Sequence, residues 1–451
     1  MSQYFRKIRN THYVILSLLL AIGVSTRMCT GRPENSNAAI VDKYGHAFAG
    51  SATCMSCHKE IYRTHLNTAH YRDSRPASVA SIKGHFDSGR NRFVFNPSSA
   101  VVMEKRGNDF FQVAYVNGKE SASEPIDIVI GSGKKGQTYL YYGSDGELFQ
   151  LPISYSATDC TWCNSPGYYP DSIRFNRVVN AYCLECHATF AASPRGVGER
   201  GGAAGAEDDE NQIDKSRIIY GIDCERCHGP GAEHVSYHTT HPEAREGKYI
   251  LSTKTLSRQQ RLDACALCHS GLQVPLKPAF TFQVGDTLGK YYAPGLQTAT
   301  SGNPEVHGNQ YGLLRSSKCF LHSQLDCSSC HDVHVNEVNN PRLFSQRCMT
   351  CHNEPAHNTC TIRPDAGLVI SDNCIDCHMP ALASRKIMLQ GSGSSAALLS
   401  GATKASPALV RTHRIAIYPE STRQFLEGKS QYRTPTVRKR TPTSSPNRAT
   451  H

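Results

Sequence analysis

The chain has 451 residues, among them 19 Cys and 21 His, and a formal charge of +11. The excess charge sits at the ends. Residues 1–28 carry Arg6, Lys7, Arg9 and Arg27, residues 428–451 carry Lys429, Arg433, Arg438, Lys439, Arg440 and Arg448, and neither stretch holds an acid. The body between them is almost neutral, which excludes a basic nucleic-acid surface.

Read from the start, Arg6, Lys7 and Arg9 precede an apolar run, Tyr13 to Val24, that is short for a membrane-spanning helix. Residues 1–28 are therefore expected to be an export signal or an N-terminal anchor. Cys29 stands where a lipoprotein cysteine would stand, yet Thr26-Arg27-Met28 matches poorly the small and aliphatic residues expected before one. Cleavage, retention and lipidation stay open. No second apolar run of spanning length follows, so the body is expected to be soluble and extracytoplasmic, in the periplasm, with membrane attachment, if any, through the N-terminus.

Residues 46–90 hold the first of seven Cys-x-x-Cys-His motifs, Cys54, Cys57 and His58. The others are Cys183, Cys186 and His187; Cys224, Cys227 and His228; Cys265, Cys268 and His269; Cys327, Cys330 and His331; Cys348, Cys351 and His352; and Cys374, Cys377 and His378. In this pattern two thiols form thioethers with the two vinyl groups of one haem, and the adjacent histidine reaches the iron. A redox dithiol or a zinc knuckle also uses Cys-x-x-Cys, but neither calls for histidine after every second cysteine. The motifs predict a multihaem c-type cytochrome with seven covalently attached haem c groups.

Residues 91–160 carry no motif and read as a small antiparallel β insertion. Short β-like runs occur at Arg92–Phe95, Phe110–Val116, Ile126–Ile130, Thr138–Tyr142 and Leu148–Ile153. Turn signals at Asn117-Gly118, Gly131-Ser132-Gly133 and Asp145-Gly146 separate them. Residues 161–390 hold six motifs, too closely spaced for long regular elements, so short helices with the motif near their ends are expected. Residues 191–214 form a Gly-rich then acidic loop. Residues 391–427 begin flexibly and lead to His413, and residues 428–451 form a basic tail with the composition of disorder. The expected fold class is mainly α with many loops, its core built around covalent haems, with the small β insertion between the first and second motifs.

Seven histidines are proximal. His12 lies in the signal and His451 at the terminus, so twelve remain for seven distal positions. Free methionine is nearly absent from the mature chain, since Met55 and Met349 lie within motifs and Met379 follows one; only Met103 and Met388 remain. Bis-histidine ligation at low potential is the expectation. His334 follows His331 too closely to pass around a porphyrin and reach its opposite face. If it ligates, it serves another haem, and the same reach makes His234 and His357 bridges between haems. His70, His307 and His413 complete the favoured set. His46, His65, His85, His238, His241 and His322 read as surface or hydrogen-bonded histidines. Cys160-Thr161-Trp162-Cys163 lacks the following histidine. It reads as a local disulfide or plain thiols, ahead of a redox dithiol or an eighth haem; Cys319 and Cys360 could pair.

The strings CMSCHKEIYRTHLNTAH, VIGSGKKGQTYLY, WCNSPGY, GIDCERCHGPGAEH, HGNQYGLLRSSKCFLHSQLDCSSCHDVH and CIDCHMP resemble the cytochrome c-552/c-554 family. That family lies within the wider hydroxylamine oxidoreductase and pentahaem nitrite reductase group. The resemblance spans roughly Gly50 to Tyr418 and implies distal roles for His70, His234, His307, His334 and His413. It supplies no substrate, because the group holds both carriers and enzymes. Two functions follow. One is an electron carrier between redox proteins, such as other cytochromes, a quinol-oxidising complex or a terminal reductase. The alternative is a reductase or oxidase of a small nitrogen or sulfur compound at one five-coordinate haem. The sequence has no Cys-x-x-Cys-Lys motif of the kind that marks many nitrite reductases, and the carrier is the favoured reading, with no catalytic residue assigned.

Overall fold

The structure, a computed structural model, describes residues 39–168, 172–193, 212–295, 305–353, 360, 362, 372–391 and 406–427. The expected signal, Cys29, His357 and the basic tail lie outside the described residues. Everything below concerns the unit that begins at Val41.

Eleven strands lie between the first two motifs. They are β1 (Ser74–Pro76), β2 (Arg92–Asn96), β3 (Ser99–Arg106), β4 (Asp109–Val116), β5 (Lys119–Pro125), β6 (Ile128–Ile130), β7 (Gly136–Tyr142), β8 (Leu148–Gln150), β9 (Ile153–Ser156), β10 (Thr161–Asn164) and β11 (Arg177–Val178). They form a four-stranded antiparallel sheet, β2-β3-β4-β5, and a seven-stranded one in which β1-β6-β7-β8-β11 is joined by β9 and β10. Asn117 and Gly118, both at positive φ, make the two-residue turn that pairs Val116 with Lys119; such a turn matches the twist of its strands. One large apolar cluster lies here, including Phe93, Val101, Met103, Val129, Tyr139, Leu151, Ile153 and Trp162. The indole of Trp162 fills the space over Gly84, where a Cβ would have no room, and its N–H donates to the His85 carbonyl at 3.0 Å.

Three further two-stranded sheets lie among the later motifs. They pair β12 (Ala188–Ala191) with β13 (Ile218–Tyr220), β14 (Gln273–Pro275) with β15 (Tyr292–Pro294), and β16 (Ala381–Leu389) with β17 (Ser406–Arg411). Helices are short, and the longest among the described residues is the 12-residue Arg258–His269. It starts at a capping box between Ser257 and Gln260 and ends on its motif histidine. The helix Pro341–Met349 starts from an Asn340 cap with proline in its first turn and runs into the next motif.

A mainly α chain with a small β insertion is therefore the wrong description, since strands rival helices throughout. Two physical reasons account for this. The motif-free interval alternates apolar and polar residues well enough to build two sheets around their own core, independent of any haem. Farther on, a motif recurs before a helix can grow long, and the linking chain satisfies its backbone groups in hairpins instead.

Candidate haem centres

Three motifs are fixed in place by side-chain caps at their start. Asp223 accepts from Cys224 N, Asp326 from Ser329 N, and the Asn180 side chain from Cys183 N. Three motifs also carry a buried acid inside them. Glu225 accepts from the backbone N–H groups of Ala49, Gly50 and Gly231 at 2.8, 3.0 and 2.7 Å, which ties the Cys224 motif to the start of the Cys54 motif. Glu185 accepts from Phe280 N and from the Tyr292 hydroxyl. Asp376 takes the Arg411 guanidinium at 2.6 Å, and Arg411 also donates to the Ile375 and Met379 carbonyls, anchoring the strand that leads to His413.

Four motif histidines face a second imidazole from a distant part of the chain. Ring centroids are 6.5 Å apart for His58 and His234, 6.1 Å for His269 and His70, 6.3 Å for His228 and His334, and 6.2 Å for His331 and His413. Two imidazoles bound to opposite faces of one iron through bonds of about 2 Å have centroids about 6.3 Å apart. The ring planes differ by 20°, 22° and 28° in the pairs of His58, His228 and His331, and by 67° in the His269–His70 pair.

Several of the Nδ1 atoms, and those of His378 and His187, meet acceptors. His228 meets the Leu251 carbonyl at 2.8 Å, His234 the Lys248 carbonyl at 2.8 Å and His378 the Ala416 carbonyl at 3.0 Å. His269 meets Gln310 Oε1 at 3.2 Å, and His187 meets Asp73 Oδ2 at 2.8 Å. Such contacts fix the tautomer and leave Nε2 for a metal. Burial, helped by the facing motif ring, pushes His70 and His413 down to about 4, so both are neutral, the form that binds iron. Burial also holds His307 down, against an opposing pull from Glu305 and with smaller pushes from Lys135 and His187. Beside His228 opens a cavity of about 700 Å³, walled by Phe48, Phe190 and Phe280 with Arg226 at hand. The lining also includes Asp42, Glu225 and Glu233, so it is mixed rather than apolar; the aromatic walls suit the flat face of a macrocycle, and with the paired imidazoles the residues present fit haem.

Sulfurs of different motifs lie against one another: Cys54 with Cys224, Cys186 with Cys268, Cys265 with Cys327, and Cys348 with Cys374. Cys227 lies within electrostatic reach of Cys265, and Cys330 of Cys348. Every motif is thereby linked to another. The junctions are tied by Arg261 on Asp326 at 2.7 Å, Arg347 on the Cys330 carbonyl at 2.7 Å, and Cys374 N on Ser345 Oγ at 2.9 Å.

The histidines read as surface or hydrogen-bonded are not all remote from these pairs, since the His65 ring lies 6.4 Å from His334 at an angle of 60°. His46 bonds Asp42, His85 bonds the Tyr155 hydroxyl, and His65 lies 3.4 Å from Asp223. The His238 ring is 4.5 Å from that of His234 and tilted by 58°, and its Nε2 is buried without a hydrogen-bond partner among the described residues. Cys160, Cys163, Cys319 and Cys360 are free thiols, with Cys163 buried and Cys160 exposed. Asp73, Gln310, Glu185, Glu225, Asp376 and Arg411 were not singled out from sequence. An acid inside three motifs was the available signal for Glu185, Glu225 and Asp376; nothing local marks the others.

Residues 170–229, which contain the Cys183 and Cys224 motifs, match the family model of cytochrome c554 and c-prime. That match and the seven Cys-x-x-Cys-His motifs of the chain support a multihaem c-type cytochrome. No curated protein sequence matches this chain. A solved structure, that of the outer cell wall cytochrome OcwA, is similar with a TM-score of 0.48 and 15% identity, over 83% of this chain and 81% of that one.

Proposed function

We propose that this cytochrome is an electron carrier whose motifs hold seven haem c groups, most or all of them ligated by two histidines. The observation that carries the reading is the set of four imidazole pairs spaced for one iron each. In these pairs His58, His228, His269 and His331 are the proximal ligands, with His234, His334, His70 and His413 opposite them. His187 takes His307 in the same reading, while His352 and His378 hold the remaining irons, with His357 the expected distal residue for a neighbouring site. The haems supply irons that accept and release one electron each. The chain fixes the ligands, keeps them neutral and packs aromatic walls around the rings, which favours one-electron exchange over substrate binding at iron.

The contacts between sulfurs of successive motifs support close spacing of the groups tethered there. An extracytoplasmic location fits the basic and apolar N-terminus and covalent haem attachment, with other redox proteins as donor and acceptor. Counting haem settles the stoichiometry. Acid-acetone-resistant haem measured as pyridine haemochrome should equal the number of motifs, and a clear shortfall contradicts the reading. The reduced protein should also bind little carbon monoxide, since an open iron is needed for it.

A further inference from the structure

The Nδ1 partners of the ligand candidates differ in charge. His228, His234 and His378 give their Nδ1–H to neutral backbone carbonyls, and His269 gives it to the neutral amide of Gln310. Among the described residues, His187 gives it at 2.8 Å to a carboxylate, Asp73 Oδ2. Other acids approach ligand candidates less closely. Asp332 is 3.3 Å from His334 Nδ1 and half exposed, and it is shared with the His334 backbone N–H. Glu337 stays 4.0 Å from His331 and is held by Arg347. Asp73 has no Lys or Arg within ion-pair distance among the described residues, and its side chain is 24% exposed. The backbone holds it as well, with Asp73 N donating to the His70 carbonyl at 3.1 Å and the Asp73 carbonyl accepting from Gly131 N at 2.5 Å.

We infer that Asp73 is a potential-setting residue that makes the Cys183–His187 haem harder to reduce than its Cys265–His269 neighbour. The inference rests on the proposed ligation of iron by His187. A carboxylate on Nδ1 draws the shared proton and leaves more electron density on Nε2. A more basic ligand favours the oxidised iron, one of the ways a protein moves a haem potential. The two sites are neighbours, since Cys186 lies against Cys268. They also share one short segment: His70 faces His269, and three residues later Asp73 holds His187. An electron shared between the pair then resides on the His269 side, and the His187 site is the later of the two to be reduced.

The test uses the haem-loaded full chain, titrated electrochemically with optical and EPR detection, in three variants. Asp73→Asn keeps shape and hydrogen bond but removes the charge. One component should move upward by about 59 mV, a tenfold change in the oxidised-to-reduced ratio of a one-electron couple. The g-values of one low-spin signal should move with it, which a distant charge would leave in place. Asp73→Glu should stay near the unmodified protein. Gln310→Glu brings a carboxylate to His269 and should move a different component downward. With haem content unchanged, superimposable titrations for Asp73→Asn and the unmodified protein overturn the inference. If Asp73→Asn sheds its haem, Gln310→Glu decides, and no downward shift there overturns it equally. His187→Ala separates the two claims: if it leaves every haem low-spin, the ligation reading fails rather than the role of Asp73.

Discussion

At the scale of single residues, the partner of each motif histidine is the property that governs spin state. His334 is three positions after His331 yet stands across from His228, and His413 stands across from His331. His334→Ala should therefore leave the Cys327–His331 haem six-coordinate and turn the Cys224–His228 haem high-spin and able to bind carbon monoxide. His413→Ala should do the reverse. Magnetic circular dichroism of the two variants, with haem count held equal, checks the assignment. The reach argument from sequence could say that His334 serves a different haem. It could not say which one, because that depends on chain crossings between residues 228 and 334 that no local pattern encodes.

At the scale of elements, two kinds of stabilisation divide the molecule. The sheets β1 to β11 carry an ordinary apolar core, and removing Trp162 from it leaves a cavity as well as lost burial. Trp162→Ala should cost about 3–5 kcal/mol in denaturant unfolding while the haem count stays the same. The haem half depends on buried polar ties instead. Glu225→Ala leaves three backbone N–H groups without their acceptor, and should cost about 3 kcal/mol, measured through the Soret band during unfolding. Glu225→Gln, which keeps one acceptor oxygen, should cost less. Several strands were legible from alternation and from Asn117-Gly118, but β3 and β5 were not. Lys119–Pro125 is polar on both faces, and its pairing with β4 is set by the turn before it rather than by its own residues. The overall balance of helix and strand was misread because closely spaced motifs were taken to imply helices. A motif needs only a single turn at its cysteines, as the 3-residue helix Cys327–Ser329 illustrates.

At the scale of the whole molecule, the motifs form one connected set through sulfur contacts and the side chains that tie them. The Cys265 motif touches two others, through Cys268 to Cys186 and through Cys265 to Cys327, and lies near a third at Cys227. The expectation of covalent haem attachment comes from the seven motifs, because the chemistry demands those residues at that spacing. The network was not legible, since contact between motifs far apart in sequence depends on how the intervening chain folds back. The central claim is that at least four irons have two histidine ligands, and the most direct measurement of it is the low-temperature EPR spectrum of the fully oxidised protein. Ring planes near parallel give rhombic low-spin signals, and planes near perpendicular give a highly anisotropic one. The account predicts rhombic low-spin signals from the His58–His234, His228–His334 and His331–His413 sites, with a highly anisotropic signal from His269–His70. A spectrum dominated by high-spin ferric iron, in protein that turns over nitrite or hydroxylamine, would contradict it.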